Sequence, residues 1–436
     1  MTKCTSKSIK FPGCKGKKVE GIFGSQSITS DGGACLLSSA DRTIDLISRA
    51  ARGFKDSRRR ASCRHTVRDL LKQRVYALAL GYEDLNDHDE LRNDPALQTA
   101  VGRGTELASA STLCRFENRI DKETLWAISK VLIDIFIESH KQEPEEIILD
   151  FDSTDDRVHG NQKGRFFHGY YDHYCFLPLY VFCGEHLLAA YLRPSNIDNA
   201  MHSLAILGLL VKRIRENWPK VRIIFRGDSG FCRWRSMQWC DSHKVDYILG
   251  LAKNSRVGTL AESFIREARR LYAETGEKQK LFGEVSYAAL SWDRERRVIV
   301  KAEHMDRGSN PRYVVTSLEG DPGEIYQKYC ARGEMENRIK EQQLCLFSDR
   351  TSCSEWLSNQ FRVLLSALGY TLLNAIRNLG LYGTQMARAR CDTIRLKLLK
   401  IGAAVVPNTR RIKFLLSKSC PYQEIFRLAA SRLCPG

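Results

Sequence analysis

Ile147-Ile148-Leu149-Asp150-Phe151-Asp152-Ser153-Thr154 is the stretch that decides the fold. A short apolar run ends abruptly in acids, as a buried strand does where its carboxyl end opens into a polar site. Asp150 and Asp152 alternate around Phe151, so on a strand both point to one face. Asp155 and Asp156 follow closely. Spacing alone leaves Asp150 and Asp152 near equal as candidate ligands.

Downstream, Cys175–Cys183 and His186–Leu192 are two more apolar runs, separated by Gly184-Glu185 in the manner of a hairpin. A helix is predicted over Asn199–Asn217, where Leu and Ile recur at helical spacing. Val221–Phe225 reads as a strand, Trp234–His243 as a helix and Tyr247–Leu251 as a strand. The order β-β-β-α-β-α-β is a mixed sheet with helices on its faces. It is similar to the ribonuclease H-like order, in which the first and fourth strands lie side by side and present their carboxylates together. Beyond it, Leu281–Ser291, Arg296–Glu303 and Arg312–Ser317 read as a β-meander, followed by one helix over Pro322–Leu346. Upstream, from Gly33 to about His140, the pattern is helical, with helices predicted over Asp41–Ala51, Thr66–Ala79 and Lys122–His140 and a short element over Ser111–Phe116. The fold class expected is α/β: a mixed-sheet core interrupted by a β-rich insertion, flanked by helical and basic ends. The boundaries are 1–144, 145–260, 261–321 (the insertion), 322–350 and 351–436.

The 436 residues carry a net charge of +17, concentrated at the ends. Residues 1–70 hold fifteen Lys/Arg against six Asp/Glu, and residues 371–436 twelve against two. Such basic ends favour nucleic acid, whose phosphates release counterions on binding. The fifteen cysteines are odd in number and form no Cys-x-x-Cys, which suits reduced, mostly buried thiols in a cytosolic protein. Met1–Glu20 lacks an apolar signal core, and no apolar run is long enough for a membrane span. The acidic loop Gly81–Asp89, with His88, is explained by turn and capping chemistry without a metal.

Two further acids stand in chemical contexts. Asp228, in Arg226-Gly227-Asp228-Ser229-Gly230, ends the strand Val221–Phe225 where a loop opens toward a helix, the usual ligand-binding end of an α/β strand. Helix capping is the competing role. On a helix turning about 100° per residue, Glu336 lies ~20° from Tyr329, ~60° from Arg332 and ~20° from Lys340. These four form one stripe, while Glu334 and Glu341 are rotated off it. A carboxylate flanked by Arg, Lys and Tyr suits a metal-bound phosphate; a solvated salt-bridged face is the alternative. Carboxylate oxygens are what hard cations such as Mg²⁺ require. Two such ions about 4 Å apart can hold the attacking and leaving oxygens of a phosphodiester displacement.

At these residues the chain resembles bacterial insertion-sequence DDE transposases, in particular those whose third acid lies in a Tyr-x2-Arg-x3-Glu-x6-Lys signature. Asp152-Ser153-Thr154 matches the first-acid motif and so favours Asp152 over Asp150. Arg226-Gly227-Asp228 matches the second, and Tyr329, Arg332 and Glu336 match the third in register. The signature's last Lys falls on Gln343, with Lys340 one turn earlier on the same stripe. The resemblance covers residues 146–350 by motif. It implies Asp152, Asp228 and Glu336 as catalytic residues and ligands of two Mg²⁺ (or Mn²⁺) ions. It also implies cleavage of double-stranded DNA at inverted-repeat ends, strand transfer into target DNA, a homodimer, and a cytoplasmic, nucleoid-associated site of action. No small-molecule substrate and no membrane partner are expected.

Trp292, beside Arg294 and Arg296, is a candidate for stacking a DNA base, against the commoner role of a hairpin-core Trp. His159, His168 and His173 follow the first acid and suit structural or phosphate contacts more than metal ligation. Arg58, Arg59 and Arg60, with Arg64, are candidates for holding the inverted repeats, and Arg388–Arg432 for clamping DNA or a partner subunit. A catalytically silent DNA-binding descendant and a stand-alone nuclease are the rival functions.

Overall fold

The computed structural model describes residues 9–24, 27–59 and 63–434. In chain order the strands are β1 (Ile9–Cys14), β2 (Lys17–Gly21), β3 (Ile28–Thr29), β4 (Glu146–Ser153), β5 (Asp156–Arg157), β6 (Phe166–His168), β7 (His173–Phe176), β8 (Leu179–Cys183) and β9 (His186–Tyr191). They continue with β10 (Arg222–Gly227), β11 (Asp246–Leu251), β12 (Gln279–Tyr287), β13 (Arg296–Met305), β14 (Gly308–Ser309), β15 (Arg312–Thr316), β16 (Ala403–Pro407) and β17 (Ile412–Leu416). The fold is mixed α/β around a nine-stranded sheet ordered β12-β13-β15-β11-β10-β4-β8-β9, with β14 added to β13.

β10 runs parallel to both β4 and β11, so the carboxyl ends of β4 and β10 point the same way. β8 and β9 extend the sheet antiparallel beyond β4. The meander does not leave this sheet: β15 pairs antiparallel with β11, and β13 and β12 continue outward from it. One face buries Leu149, Phe151, Phe225, Val298 and Tyr287 with Leu207, Met237 and Ala268, residues of the helices Ser203–Asn217, Trp234–Ser242 and Glu262–Thr275. The other face buries Ile224, Ile248, Ile299 and Val314 against Ile325 and Tyr326 of the helix Pro322–Cys330.

Both ends of the chain share a second core. Leu71, Val75 and Tyr76 of the helix Val67–Leu80 lie in the same cluster as Leu364, Leu368 and Leu372 of the helix Trp356–Ala375. The helix Val67–Leu80 starts at a capping box made by Thr66 and Asp69. A buried ionic bridge ties the region together: Glu117 accepts from Arg74 Nε at 2.7 Å and from Arg362 Nε at 2.9 Å. His88 is fully buried beside Arg74 and Gln73, and burial together with Arg74 pushes its pKa well below the ordinary value. Asp87 and Asp89 accept from the backbone N–H of Asp84 and Ala110, so the acidic loop does the turn and capping work expected of it.

Three elements differ from the pattern-based expectation. The helix expected over Asp41–Ala51 is two helices, Ala34–Ile44 and Leu46–Arg52, because Asp45 takes a left-handed φ of 49° and Asp41 accepts from Ile47 N–H at 2.8 Å. The run Cys175–Cys183 divides into β7 and β8 at Pro178, which has no N–H to give to a ladder. The helix expected over Pro322–Leu346 is Pro322–Cys330, then Gly333–Lys340, then a π-type turn at Glu341–Cys345. Tightened bonds, from Arg332 N–H to Tyr329 O and from Met335 N–H to Arg332 O, join the first two at a low-propensity Gly333. Glu341 is drawn into the core, where it accepts from Arg377 at 3.0 Å and from Cys391 N–H at 2.9 Å.

Candidate active site

The alternation along β4 places Asp150 and Asp152 on one face, but their surroundings differ. Asp150 is directly opposite Arg226 in the β4–β10 register. Both of its oxygens accept from that guanidinium, from Nη2 at 2.7 Å and also from Nε. Arg226 further donates to the Lys328 carbonyl and so pins the helix Pro322–Cys330 onto the sheet. Asp150 is therefore a neutralised structural acid. Asp152, two residues on, lies at the strand's open end.

The last paired step of the parallel ladder is Gly227 with Phe151, so Asp228 emerges alongside Asp152. Asp228 Oδ1 accepts from Gly230 N–H at 2.8 Å and holds the turn Ser229–Phe231. Asp228 thus caps the turn with one oxygen and keeps the other for the cleft. Gly227 sits against the Phe231 ring, which a Cβ there would meet at 3.1 Å.

Glu336 arrives from the helix Gly333–Lys340. Arg332 spans the acids: Nη1 donates to Asp152 Oδ2 at 3.0 Å and Nη2 to Glu336 Oε1 at 3.5 Å. Tyr329 packs beside Tyr326, with its hydroxyl over Gly250 of β11. A Cβ at Gly250 would lie 2.6 Å from that hydroxyl and 2.9 Å from Ser229 N, so only glycine permits this approach. Asp152, Ser153, Thr154, Asp228, Arg332, Glu336, Lys340 and Gln343 line a cleft of about 270 Å³ together with Ile339. Gln343 donates to Asp155 O at 2.9 Å and to Asp156 Oδ1 at 3.0 Å, and so secures the loop after β4.

Burial pushes the Asp152 carboxyl up to about 6; Arg332 opposes the rise, while Asp228 and Glu336 add to it. The three acids thus sit in one another's fields, with one guanidinium among them. That donor set fits a hard divalent cation, which prefers carboxylate oxygens and would relieve the repulsion. Among the described residues no three acid, His or Cys side chains already converge as a ready-made metal cage. Arg332 stands between Asp152 and Glu336 and bonds both.

The remaining sequence candidates fall elsewhere. Trp292 is half-buried and meets Tyr287 edge-on at 5.3 Å, in the cluster on the sheet face opposite Asp150 and Asp152. Its ring fills the turn of the β12–β13 hairpin, as a hairpin-core Trp does. Arg58 is paired with Asp56 through two bonds of 2.7 Å, and Arg59 is exposed. Arg60 lies outside the described residues. Arg58 also lines a separate cleft of about 860 Å³ with Lys55, Arg64, Arg115 and Arg119, over a floor that includes Phe54 and Phe116. His173 pairs with Asp155 at 2.7 Å, next to the cleft rather than in it.

Sequence reasoning missed Arg193, which is fully buried. It donates to Ser153 Oγ at 2.6 Å, Leu177 O at 2.9 Å and Met201 O at 2.7 Å, and so fixes the end of β4. Burial lowers its pKa to about 10. Its only signal was an Arg-Pro pair closing an apolar run, which does not distinguish a buried Arg from a surface one.

Compared with known families, residues 11–435 match the model described as transposase DDE domain group 1. The chain belongs to this transposase family. The family is one of DNA-cutting and strand-transferring enzymes that use divalent metal ions, and DNA is the partner it implies. No curated protein matches by sequence. Among solved structures, the chain is similar to the piggyBac transposase in a cryo-EM synaptic complex with hairpin DNA. That likeness has a TM-score of 0.40 and 11% identity, over 86% of this chain and 81% of the other. No helix among the described residues of this DDE transposase is long and apolar enough to cross a membrane.

Proposed function

We propose that this DDE transposase mobilises an insertion sequence of a bacterium, cutting double-stranded DNA at terminal inverted repeats and joining the freed 3′-ends to target DNA. The observation that carries the proposal is the meeting of Asp152, Asp228 and Glu336, from three distant segments, on one cleft with Arg332 between them. The strand order β9-β8-β4-β10-β11 supports a ribonuclease H-like core in which β4 and β10 present their acids together.

In this reading Asp152, Asp228 and Glu336 would hold two Mg²⁺ or Mn²⁺ ions, which would supply Lewis-acid activation and charge neutralisation at the phosphate. Arg332, released from the acids, and Lys340 bind the phosphate oxygens, while Tyr329 holds the strand alongside. Asp228 keeps its place through the Gly230 N–H bond, and Asp152 through the bond of Ser153 to Arg193. Cleavage and joining are both in-line phosphoryl transfers, so one site serves both. The basic cleft at Arg58 and Arg64, with Arg59 nearby, holds the repeat DNA, and a homodimer bridges the two ends. The protein acts in the cytoplasm on nucleoid DNA. Residues 145–260 and 322–350 form the catalytic core and 261–321 the insertion, in which Trp292 packs into its own hairpin against Tyr287.

The test is a supercoiled plasmid carrying the element's two ends, incubated with purified protein and Mg²⁺, with EDTA, or with the Asp228→Asn variant. Cleavage at the ends followed by joining, lost in EDTA and in the variant, supports a transposase. Cleavage without joining indicates a stand-alone nuclease. Tight end binding without metal-dependent cutting indicates a silent DNA-binding protein.

A further inference from the structure

The loop after the first acid folds into a small three-stranded sheet, β5-β7-β6. Its outer hairpin exposes an unusual run of rings. Phe166 is 41% exposed, Phe167 53%, Tyr170 85% and Tyr174 47%. Water-facing aromatic rings gathered in nine residues are a marker of an interaction surface, not of scattered surface apolars. Phe167 and Tyr174 are cross-strand partners with ring centroids 5.7 Å apart, and the Arg165 guanidinium covers the Tyr174 ring at 4.5 Å. Tyr170 projects from the turn and meets Tyr171 edge-on at 5.0 Å.

The root of this hairpin is bonded to a residue that lines the acid cleft. His173 bonds Asp155 at 2.7 Å, and Gln343, which lines the cleft, grips Asp155 O and Asp156 Oδ1. Ser195 Oγ donates to Phe166 O at 2.9 Å. Tyr171 is half-buried; burial pushes its phenol up to about 12, and the nearby Asp155 and Asp152 charges add to this. The hairpin that carries the rings is therefore tethered beside the cleft, through His173 to Asp155 and from there to Gln343. The charges beside them are the exposed Arg157 and Lys163, the latter paired with Glu355, and the half-buried Arg165, against the exposed Asp172 at the turn. Flat apolar faces interleaved with guanidinium groups suit a ligand of flat rings joined by anionic links.

We propose that the hairpin Phe166–Phe176 is a stacking platform for unpaired bases of the DNA strand whose phosphate enters the acid cleft, with Phe167 and Tyr170 as the stacking rings. The proposal rests on the DNA-cutting reading of that cleft. Binding, however, needs no metal and no chemistry, so the two can fail separately.

The test is binding of a short fluorescent single-stranded oligonucleotide to full-length protein in EDTA, beside a blunt duplex of the same sequence. A second oligonucleotide carries 2-aminopurine, whose emission falls when it stacks. Phe167→Ala and Tyr170→Ala are each expected to weaken single-strand binding about five- to hundred-fold and to restore 2-aminopurine emission. Tyr170→Phe should retain both signals, because the ring face is kept. Duplex affinity should change by less than two-fold, and circular dichroism should confirm that each variant is folded. Unchanged single-strand affinity in both alanine variants overturns the proposal. So does an equal loss for duplex and single strand, or conversion of a dimer to a monomer by light scattering, which would make the patch a protein interface. If the plasmid assay shows no cutting while the stacking signal is intact, the DNA-cutting reading fails and the platform stands.

Discussion

Asp152→Asn should make the metal-free protein more stable. In the folded chain burial and its acidic neighbours hold the Asp152 carboxyl at about 6, against 3.8 for an ordinary aspartate. Below about pH 4 both folded and unfolded chains carry the proton, and the group has no effect. Between about pH 4 and pH 6 the unfolded chain releases its proton first, so stability falls as pH rises. Above pH 6 the loss saturates at about 3 kcal/mol. The side chain is only 14% exposed, so solvent screening removes little of this. Asparagine stands in for the protonated form and does not titrate. With an unfolding entropy of about 2.1 cal/mol/K per residue, the 436 residues convert this into a rise in Tm of about 3 °C. The assay is calorimetry in EDTA from pH 4 to pH 8. The variant should match wild type near pH 4 and exceed it increasingly up to pH 7. Added Mg²⁺ should raise the Tm of the wild type and leave the variant nearly unmoved. A variant that melts at or below wild type at pH 7 in EDTA, or an offset independent of pH, would refute the reasoning.

Arg226→Met should destabilise the chain by about 3–5 kcal/mol in urea unfolding, because it strands the buried Asp150; adding Asp150→Asn should recover part of that, and no recovery would contradict the pairing. Asp150→Asn by itself should retain far more metal-dependent cleavage than Asp152→Asn in the plasmid assay, and equal losses would assign Asp150 to the site. Arg332→Gln should bind Mn²⁺ several-fold more tightly by titration calorimetry without DNA, since a competing cation is removed, yet cleave more slowly; weaker Mn²⁺ binding would falsify the counter-ion role. Gly250→Ala should slow cleavage about 10- to 100-fold by displacing Tyr329 and the Asp228 turn, as misplacement near an ångström does; an unchanged rate would show that this approach is not needed.

Local pattern carried much of the architecture. The apolar run ending at Asp152, the run ending before Asp228 and the helical spacing around Glu336 were each legible, because burial period and turn residues are local properties. The three acids named from their motifs do line one cleft. Local pattern did not foresee the joint at Arg332–Gly333, although the stripe from Tyr329 to Lys340 survives it closely enough for Arg332, Glu336 and Lys340 to share the cleft.

What remained depended on partners far away in the chain. Asp150 and Asp152 share a strand face; the motif favoured Asp152, and the cross-strand register, which sets Arg226 opposite Asp150, supplies the physical reason by pairing Asp150 away. Trp292 beside two arginines left base stacking open against the commoner hairpin-core role; β13 pairs with β15 and carries the hairpin onto the main sheet, where the ring meets Tyr287 edge-on. Nothing local marks Phe166, Phe167 and Tyr174 as rings of a bare hairpin rather than a buried one; their exposure follows from the fold. Sequence by itself determined most elements of the central sheet and the acids that two of its strands lead into, since these follow from backbone geometry and hydrophobic period. Tertiary structure decided which charge is cancelled, which ring is hidden and which is left facing water, since each of those is settled by a neighbour that only folding brings near.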